Sequence, residues 1–149
     1  MIIGEAGILI RGASGCGKSG LALALLRIGA ASGQFARLVG DDRIGLAAAG
    51  GRLVAQAHPA IAGQVERRGF GIARMPAETR TVVRLVIDFQ ARGTKTARLP
   101  EPQDEVTQIA GVALPRITLP PQPGLQEASH AILAWLRHEM RTGKADDSA

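Results

Sequence analysis

Residues 12–19 of the chain, GASGCGKS, place three glycines, a lysine and a serine in a fixed pattern between two regular elements. The apolar run at 7–11 is typical of a buried strand, and residues 18–29 carry apolar side chains around most of a helix. The segment fits Gly-x-x-x-x-Gly-Lys-Ser/Thr without mismatch, a pattern in which backbone N–H groups surround a polyphosphate. Glycine is needed where the backbone turns tightly around an anion. We therefore predict an α/β fold in which residues 12–19 bind the phosphates of a nucleotide.

Each part of residues 12–19 has a predicted role in holding the phosphates. The helix that begins near Lys18 directs its positive N-terminal end at the bound anion. The ammonium group of Lys18 can reach the β- and γ-phosphate oxygens, and the hydroxyl group of Ser19 can ligate Mg²⁺. Cys16 is interpreted as a small side chain that the loop tolerates rather than as a redox group. The predicted nucleotide-binding residues are Gly12, Ala13, Ser14, Gly15, Cys16, Gly17, Lys18 and Ser19.

Two strand ends could supply the acidic group that such a loop requires. Asp41 and Asp42 end the segment 37–42, which is predicted to be a short apolar strand. Asp88 lies near the end of the β-branched run at 81–89. The two patterns are nearly equal, but adjacent carboxylates can divide the work, one holding the cation and one acting as a base. We take Asp41 and Asp42 as the catalytic pair and keep Asp88 as the alternative.

Residues 66–72, ERRGFGI, form a second unusual segment. Gly69 and Gly71 flank one aromatic residue and let the backbone approach a ligand closely. Glu66 adds a carboxylate, a ligand type that Mg²⁺ prefers. A surface hairpin with a charged flank would give the same pattern, so this segment alone is a weak signal.

Composition limits the class of protein. The chain has 149 residues, the size of one domain, and no apolar run of roughly 18 residues that could span a membrane. A single cysteine excludes an internal disulfide and favours a cytoplasmic location. The net charge of +5 suits an acidic partner, but the arginines are scattered and aromatic residues are few (three Phe, one Trp, no Tyr). We therefore expect neither nucleic-acid binding nor membrane binding.

The remaining pattern completes an α/β domain. Residues 44–57 indicate two strands around a Gly-Gly turn, 117–124 a strand broken by prolines, and 126–141 an amphipathic helix. We expect a P-loop-type mixed β-sheet flanked by helices in a single domain, residues 1–141, with a flexible tail at 142–149.

Together these segments resemble the catalytic domain of bacterial HPr kinase/phosphorylase. Their order and most of their spacings agree with that family over nearly the whole chain. The phosphate loop is shared with many nucleotide-binding proteins, and ERRGFGI, which is similar to the family's Glu-x-Arg-Gly-x-Gly-Ile signature, is the discriminating part. The chain looks like the short alphaproteobacterial form, which lacks a separate N-terminal domain. The segments that carry the resemblance are GILIRGASGCGKSGLALALL at 7–26, RLVGDDR at 37–43, HPAIAGQVERRGFGI at 58–72 and LPRITLPPQPG at 114–124, followed by the last helix.

The resemblance implies a kinase that uses ATP to phosphorylate a serine of HPr, a small phosphocarrier protein, and that reverses this step with inorganic phosphate. It implies a regulatory role in the sugar or nitrogen phosphotransferase system, ATP, Mg²⁺ and inorganic phosphate as cofactors, and a hexameric assembly. Asp42 would transfer the serine proton, with Asp41 in close support. The implied residues are catalytic Lys18, Asp41, Asp42 and Arg98, the Mg²⁺ ligands Ser19 and Glu66, and the signature residues Glu66, Arg68, Gly69 and Gly71.

One departure from the family pattern concerns the reverse reaction, and two alternatives remain. Gln122 and Leu125 stand where well-known members carry two arginines, in a segment that serves the dephosphorylating direction. A P-loop kinase for a small molecule would use the same loop but needs an enclosing lid. A non-catalytic nucleotide-sensing module would bind the nucleotide and would not require an intact Asp41 and Asp42.

Overall fold

A mixed β-sheet forms the centre of the structure, a computed structural model that describes residues 1–95 and 101–146. Within these residues, eight strands join in the main sheet and two form a separate hairpin. The strands β1 to β10 are Ile2–Ile3, Ala6–Arg11, Ala36–Arg37, Gly45–Ala49, Arg52–Gln56, Gln64–Arg67, Gly71–Arg74, Arg80–Phe89, Val106–Ile109 and Val112–Leu119. The helices are α1, Lys18–Ala31, and α2, Leu125–Asp146, and two short 3₁₀ turns span Pro59–Ile61 and Pro102–Glu105.

The direction of three neighbouring strands places the phosphate loop. Strands β2 and β10 both run parallel to β8, with β8 between them, and the other strand pairs in the sheet are antiparallel. The register sets Arg11 opposite Asp88 and Asp88 opposite Thr118. The carboxyl ends of the parallel strands therefore meet at one edge of the sheet, where ligands of α/β proteins bind.

Strand β8 is central because its β-branched and aliphatic residues suit burial on both faces. Its residues Leu85, Val86 and Ile87 have no exposed surface. Leu85 and Ile87 belong to the larger core cluster, to which both helices contribute, and Val86 belongs to a smaller cluster formed by strand residues of the sheet. Helix α1 is apolar around most of its circumference because it packs against both the sheet and α2.

The fold agrees with the predicted class, a mixed sheet flanked by helices, and the hairpin of β4 and β5 turns at Gly50 and Gly51 as expected. Two boundaries differ, and one strand is additional. The strand predicted at 37–42 is only Ala36–Arg37, followed by a single bridge between Leu38 and Ala77. Helix α2 continues to Asp146, so the predicted tail at 142–149 begins inside it. Strand β9 was not predicted. Neither helix of the described chain is long and apolar enough to cross a membrane.

Candidate active site

The phosphate loop connects the end of β2 to the start of α1. Its first residue, Gly12, packs so tightly that a Cβ atom would lie 2.7 Å from Cys16 Sγ and 2.9 Å from Phe89 Cβ. Gly17 precedes the helix with a φ of 109°, which a residue with a side chain rarely adopts, and no side chain caps the helix. The free amide groups at the start of α1 are therefore open to an anion.

Lys18 lies across this loop. Its Nζ atom donates to the carbonyl oxygens of Gly12 at 2.9 Å and Ala13 at 3.0 Å. These two carbonyl groups hold the ammonium group at the loop, where phosphate oxygens would be stronger acceptors because they are charged. The structure thus places the Lys18 ammonium group at the loop, and its contact with phosphate oxygens stays a prediction.

Asp41 connects the phosphate loop to the signature segment. The hydroxyl group of Ser19 donates to Asp41 Oδ1 at 2.7 Å, and the backbone N–H of Glu66 donates to Asp41 Oδ2 at 3.1 Å. Asp41 is half-buried, whereas Asp42 is exposed and has no hydrogen bond or ion pair with any described residue. The two neighbouring carboxylates therefore occupy different environments: Asp41 is held by its contacts, and Asp42 is free to meet a ligand.

The alternative acid, Asp88, is already neutralised. Arg11 donates to both of its oxygens, Nε to Oδ1 and Nη2 to Oδ2, each at 2.7 Å. Arg116 approaches from a second side, with Nη1 at 3.8 Å from Oδ2. The hydrogen bond to Asp88 raises the pKa of Arg11, with a further coulombic contribution, although burial of the guanidinium group opposes the increase. This geometry favours Asp41 and Asp42 over Asp88 as the reactive acids.

The signature segment forms the separate hairpin of β6 and β7. Glu66 is on β6, and Arg68, Gly69 and Phe70 make the turn before Gly71 starts β7. The guanidinium group of Arg68 reaches the phosphate loop beside Gly15. Glycine has no Cβ atom, and one added at this position would lie 3.1 Å from Arg68 Nη2. The hairpin therefore carries both a carboxylate and a cation to the loop.

The tip of the hairpin is apolar and exposed. Phe70 is 85% exposed, and the guanidinium carbon of Arg67 lies 5.4 Å from the centre of its ring. Phe70 projects at the edge of the same cleft that contains the phosphate loop.

A broad cleft of about 1230 Å³ brings these groups together. It is lined by the phosphate loop, both aspartates, the hairpin and the start of α2. Cys16 does not line it; its side chain packs beside Gly12 and against the larger core cluster. This position agrees with the interpretation of Cys16 as a tolerated small side chain.

The oxygen donors beside the loop fit a hard cation. Ser19 and Asp41 are joined by the 2.7 Å hydrogen bond, and the carboxylate of Glu66 is exposed in the same cleft. Mg²⁺ is usually held by one or two carboxylates together with phosphate oxygens and waters. Ser19, Asp41 and Glu66 could therefore hold Mg²⁺ beside a bound nucleotide.

Arg98 and the two positions that depart from the family pattern, Gln122 and Leu125, lie elsewhere in the chain. Arg98 lies outside the described residues. Leu125 begins α2 and lines the cleft, with its Cδ1 atom near Gly20. Gln122 lies in the preceding turn with a φ of 53°. Sequence reasoning did not find the contact of Arg68 with the loop or the contact of Asp41 with the Glu66 amide, because both join segments that are distant along the chain.

Comparison with known proteins identifies the family of the chain. A family model described as the HPr serine kinase C-terminal domain matches residues 1–145. The chain belongs to this family. The HPr kinase/phosphorylase of Clostridium acetobutylicum is 32% identical over 127 residues, which cover 79% of this chain and 40% of that protein. That of Clostridium tetani is 33% identical over 128 residues, 79% of this chain and 39% of that protein. The chain thus spans about 40% of the length of these curated relatives.

A solved structure supports the same family and fold. The HPr(Ser) kinase/phosphatase from Coxiella burnetii superposes with a TM-score of 0.76 and 25% sequence identity. The match covers 94% of this chain and 93% of that one. The resemblance inferred from the sequence motifs is confirmed at the level of the family.

Proposed function

We propose that the chain is an ATP-dependent kinase that phosphorylates a serine of an HPr-type phosphocarrier protein and that reverses this step with inorganic phosphate. The observation that carries the proposal is the position of Asp41. Its carboxylate bridges the Ser19 hydroxyl group and the Glu66 amide, so the phosphate loop, the acidic pair and the signature hairpin form one site.

The proposed role of each residue combines its position in the structure with the family resemblance. The amide groups of residues 12–19 bind the phosphates, and Lys18 moves from the loop carbonyls to the phosphate oxygens. Mg²⁺, when bound by Ser19 and Glu66 beside Asp41, neutralises phosphate charge. Asp42 accepts the proton of the serine hydroxyl group in the forward direction and returns it in reverse. Most of the rate acceleration would come from positioning and charge neutralisation.

Arginine side chains complete the proposed charge neutralisation. Arg68, which reaches the loop beside Gly15, faces the phosphates from the hairpin. Arg98 is proposed, from the family resemblance alone, to stabilise the phosphoryl group in transfer. Gly69 and Gly71, with φ values of 78° and 84°, allow the tight turn that carries Arg68.

The shape of the cleft favours a protein substrate over a small molecule. The exposed ring of Phe70 at the edge of the cleft suits contact with an apolar surface. A nucleotide-sensing module would not need an exposed carboxylate such as Asp42 in the cleft that contains Lys18, so this candidate is less well supported.

The proposal extends to the setting of the reaction. The substrate and the reverse reaction come from the family, and the curated relatives are more than twice as long as this chain. We propose a cytoplasmic enzyme that uses ATP, Mg²⁺ and inorganic phosphate and regulates a phosphotransferase system. A hexamer is proposed from the resemblance alone.

One experiment tests the function. The protein is incubated with Mg·ATP and its cognate phosphocarrier, and mass spectrometry locates the phosphate before and after inorganic phosphate is added in excess. The proposal requires one phosphoserine that appears with ATP and disappears with phosphate. Lys18→Ala is the matched control and should leave the phosphocarrier unmodified. Nucleotide binding without transfer to the phosphocarrier would instead support a sensing module.

A further inference from the structure

An ion-pair cluster lies next to the start of the phosphate loop, and the proposed reaction does not use it. The cluster consists of Arg11, Asp88, Arg116 and Asp104. Arg11 and Asp88 stand opposite each other on the parallel strands β2 and β8. Their two hydrogen bonds, each 2.7 Å long, form a fork that fixes both side chains in one geometry.

Arg116 holds Asp88 from β10. Its Nη1 atom lies 3.8 Å from Asp88 Oδ2, and its Nε atom donates to the backbone oxygen of Asp104 at 2.8 Å. The side chains of Asp88 and Arg116 are only 20% and 25% exposed. The side chain of Arg11 is 39% exposed, so water screens its ion pair in part. Loss of Asp88 would leave Arg11 without a carboxylate partner among the described residues, whereas Arg116 would keep Asp104 at 3.7 Å.

The phosphate loop begins directly at this cluster. Gly12 follows Arg11 in the sequence and packs on Phe89, the residue after Asp88. The contact is so close that a Cβ atom added at Gly12 would lie 2.9 Å from Phe89 Cβ. The carbonyl group of Gly12 also accepts a hydrogen bond from Lys18. Arg11 has no carboxylate partner other than Asp88 in the described part of the chain. The start of the loop is therefore held to the end of β8 by three features: the parallel strand pairing that ends at Arg11 and Asp88, the forked ion pair between these two side chains, and one packing contact.

We propose that Asp88 is a positioning residue for the phosphate loop. Acting through Arg11, it fixes the place of Gly12 and so the place of the loop amides and of Lys18 relative to the nucleotide. Asp88 does not itself touch the substrate. The inference rests on the proposed nucleotide binding by residues 12–19.

The test measures affinity for Mg·ADP by isothermal titration calorimetry, at a temperature where circular dichroism shows each variant to be folded. Asp88→Asn keeps the size of the side chain but removes its charge, and the dissociation constant should rise about tenfold, because displacement of binding groups by a fraction of an ångström has effects of this order. Arg11→Gln should give a similar loss. The double variant should lose no more than the larger single loss, because both substitutions break the same contact.

Two further variants separate positioning from net charge. Arg11→Lys keeps the positive charge but cannot form the fork, so its affinity should stay close to that of Arg11→Gln. Glu5→Gln removes an exposed carboxylate in the turn between β1 and β2 and should leave the affinity unchanged. If Asp88→Asn does not fold, the Arg11→Lys result decides by itself.

The outcomes are distinct. If the wild-type protein binds no Mg·ADP, the proposed function is wrong and this inference falls with it. If the wild-type protein binds and Asp88→Asn changes the dissociation constant by less than about twofold, or lowers only the melting temperature, the positioning role alone is wrong. Full affinity in Arg11→Lys would overturn it as well.

Discussion

Replacing Asp42 by asparagine should remove most of the turnover and leave binding and stability unchanged. Asp42 is exposed, lines the cleft, and contacts no polar group among the described residues. Asparagine has nearly the same size but cannot accept a proton at neutral pH. The substitution therefore changes one chemical property of the site and disturbs none of its contacts.

The expected magnitudes follow from these contacts. The free energy of unfolding should change by less than about 0.5 kcal/mol, as for surface substitutions that break no interaction. Loss of a general base lowers kcat by about 10²–10⁴, equivalent to about 3–5 kcal/mol in activation free energy. Asp41→Asn gives the contrast. Asp41 accepts hydrogen bonds of 2.7 Å and 3.1 Å, so weakening them should lower the free energy of unfolding by about 1–2 kcal/mol.

Three measurements on each variant separate these effects: steady-state phosphorylation of the phosphocarrier, calorimetric titration with Mg·ADP, and urea unfolding. Glu5→Gln serves as the control for loss of an exposed carboxylate. Wild-type turnover in Asp42→Asn would refute the assignment of Asp42 as the base. If turnover fell only in Asp41→Asn, the two roles would be the reverse of those proposed.

Three other predictions concern binding, packing and pH. Lys18→Ala removes the ammonium group held at the loop and should weaken Mg·ATP binding by about 10–10²-fold in calorimetric titration, whereas unchanged affinity would contradict the role of Lys18. Gly7→Ala puts a Cβ atom onto the carbonyl oxygen of Val82 and 2.7 Å from Thr81 Oγ1, so urea unfolding should show a loss of about 1–3 kcal/mol. Gly45→Ala, with Gln56 O at 3.7 Å, is the control and should cost much less. In the polypeptide with a free amino group, burial lowers the pKa of the Met1 amino group from 8.0 to about 6. As the pH falls below 8, the unfolded chain therefore binds this proton more readily than the folded chain. The free energy of unfolding should decrease by about 2–3 kcal/mol between pH 8 and about pH 6, and this group should have no effect on it above pH 8. A flat profile of urea unfolding between these pH values would contradict the burial of this group.

The sequence predicts the loop between β2 and α1 because local chemistry determines its backbone. Gly12 and Gly17 are required by close packing and by a positive φ, and both constraints act within a few residues of Lys18. The hairpin of β4 and β5 was predicted for the same reason, since Gly50 and Gly51 supply the turn. Strand β9 was not predicted: its turn to β10 consists of Ala110 and Gly111, both with a positive φ, and alanine seldom occupies such a position.

The contacts that distinguish the acidic residues could not be predicted from the sequence. Asp88 looks like a free strand-end carboxylate until the parallel register of β2 and β8 sets Arg11 opposite it, 77 residues away along the chain. Likewise, Asp41 and Asp42 are adjacent and chemically identical, and only the position of α1 and the hairpin decides which of them contacts Ser19 and Glu66. These distinctions depend on tertiary structure rather than on residue type.

The most direct measurement is a crystal structure of the protein with Mg²⁺ and a non-hydrolysable ATP analogue. We predict that the amide groups of residues 12–19 donate to the β- and γ-phosphates, that Lys18 Nζ leaves the carbonyl oxygens of Gly12 and Ala13 for phosphate oxygens, and that the metal lies beside Ser19. Asp42 should face the γ-phosphate across the cleft. Analogue bound away from residues 12–19, or an Asp42 carboxylate turned away from the γ-phosphate, would contradict the account.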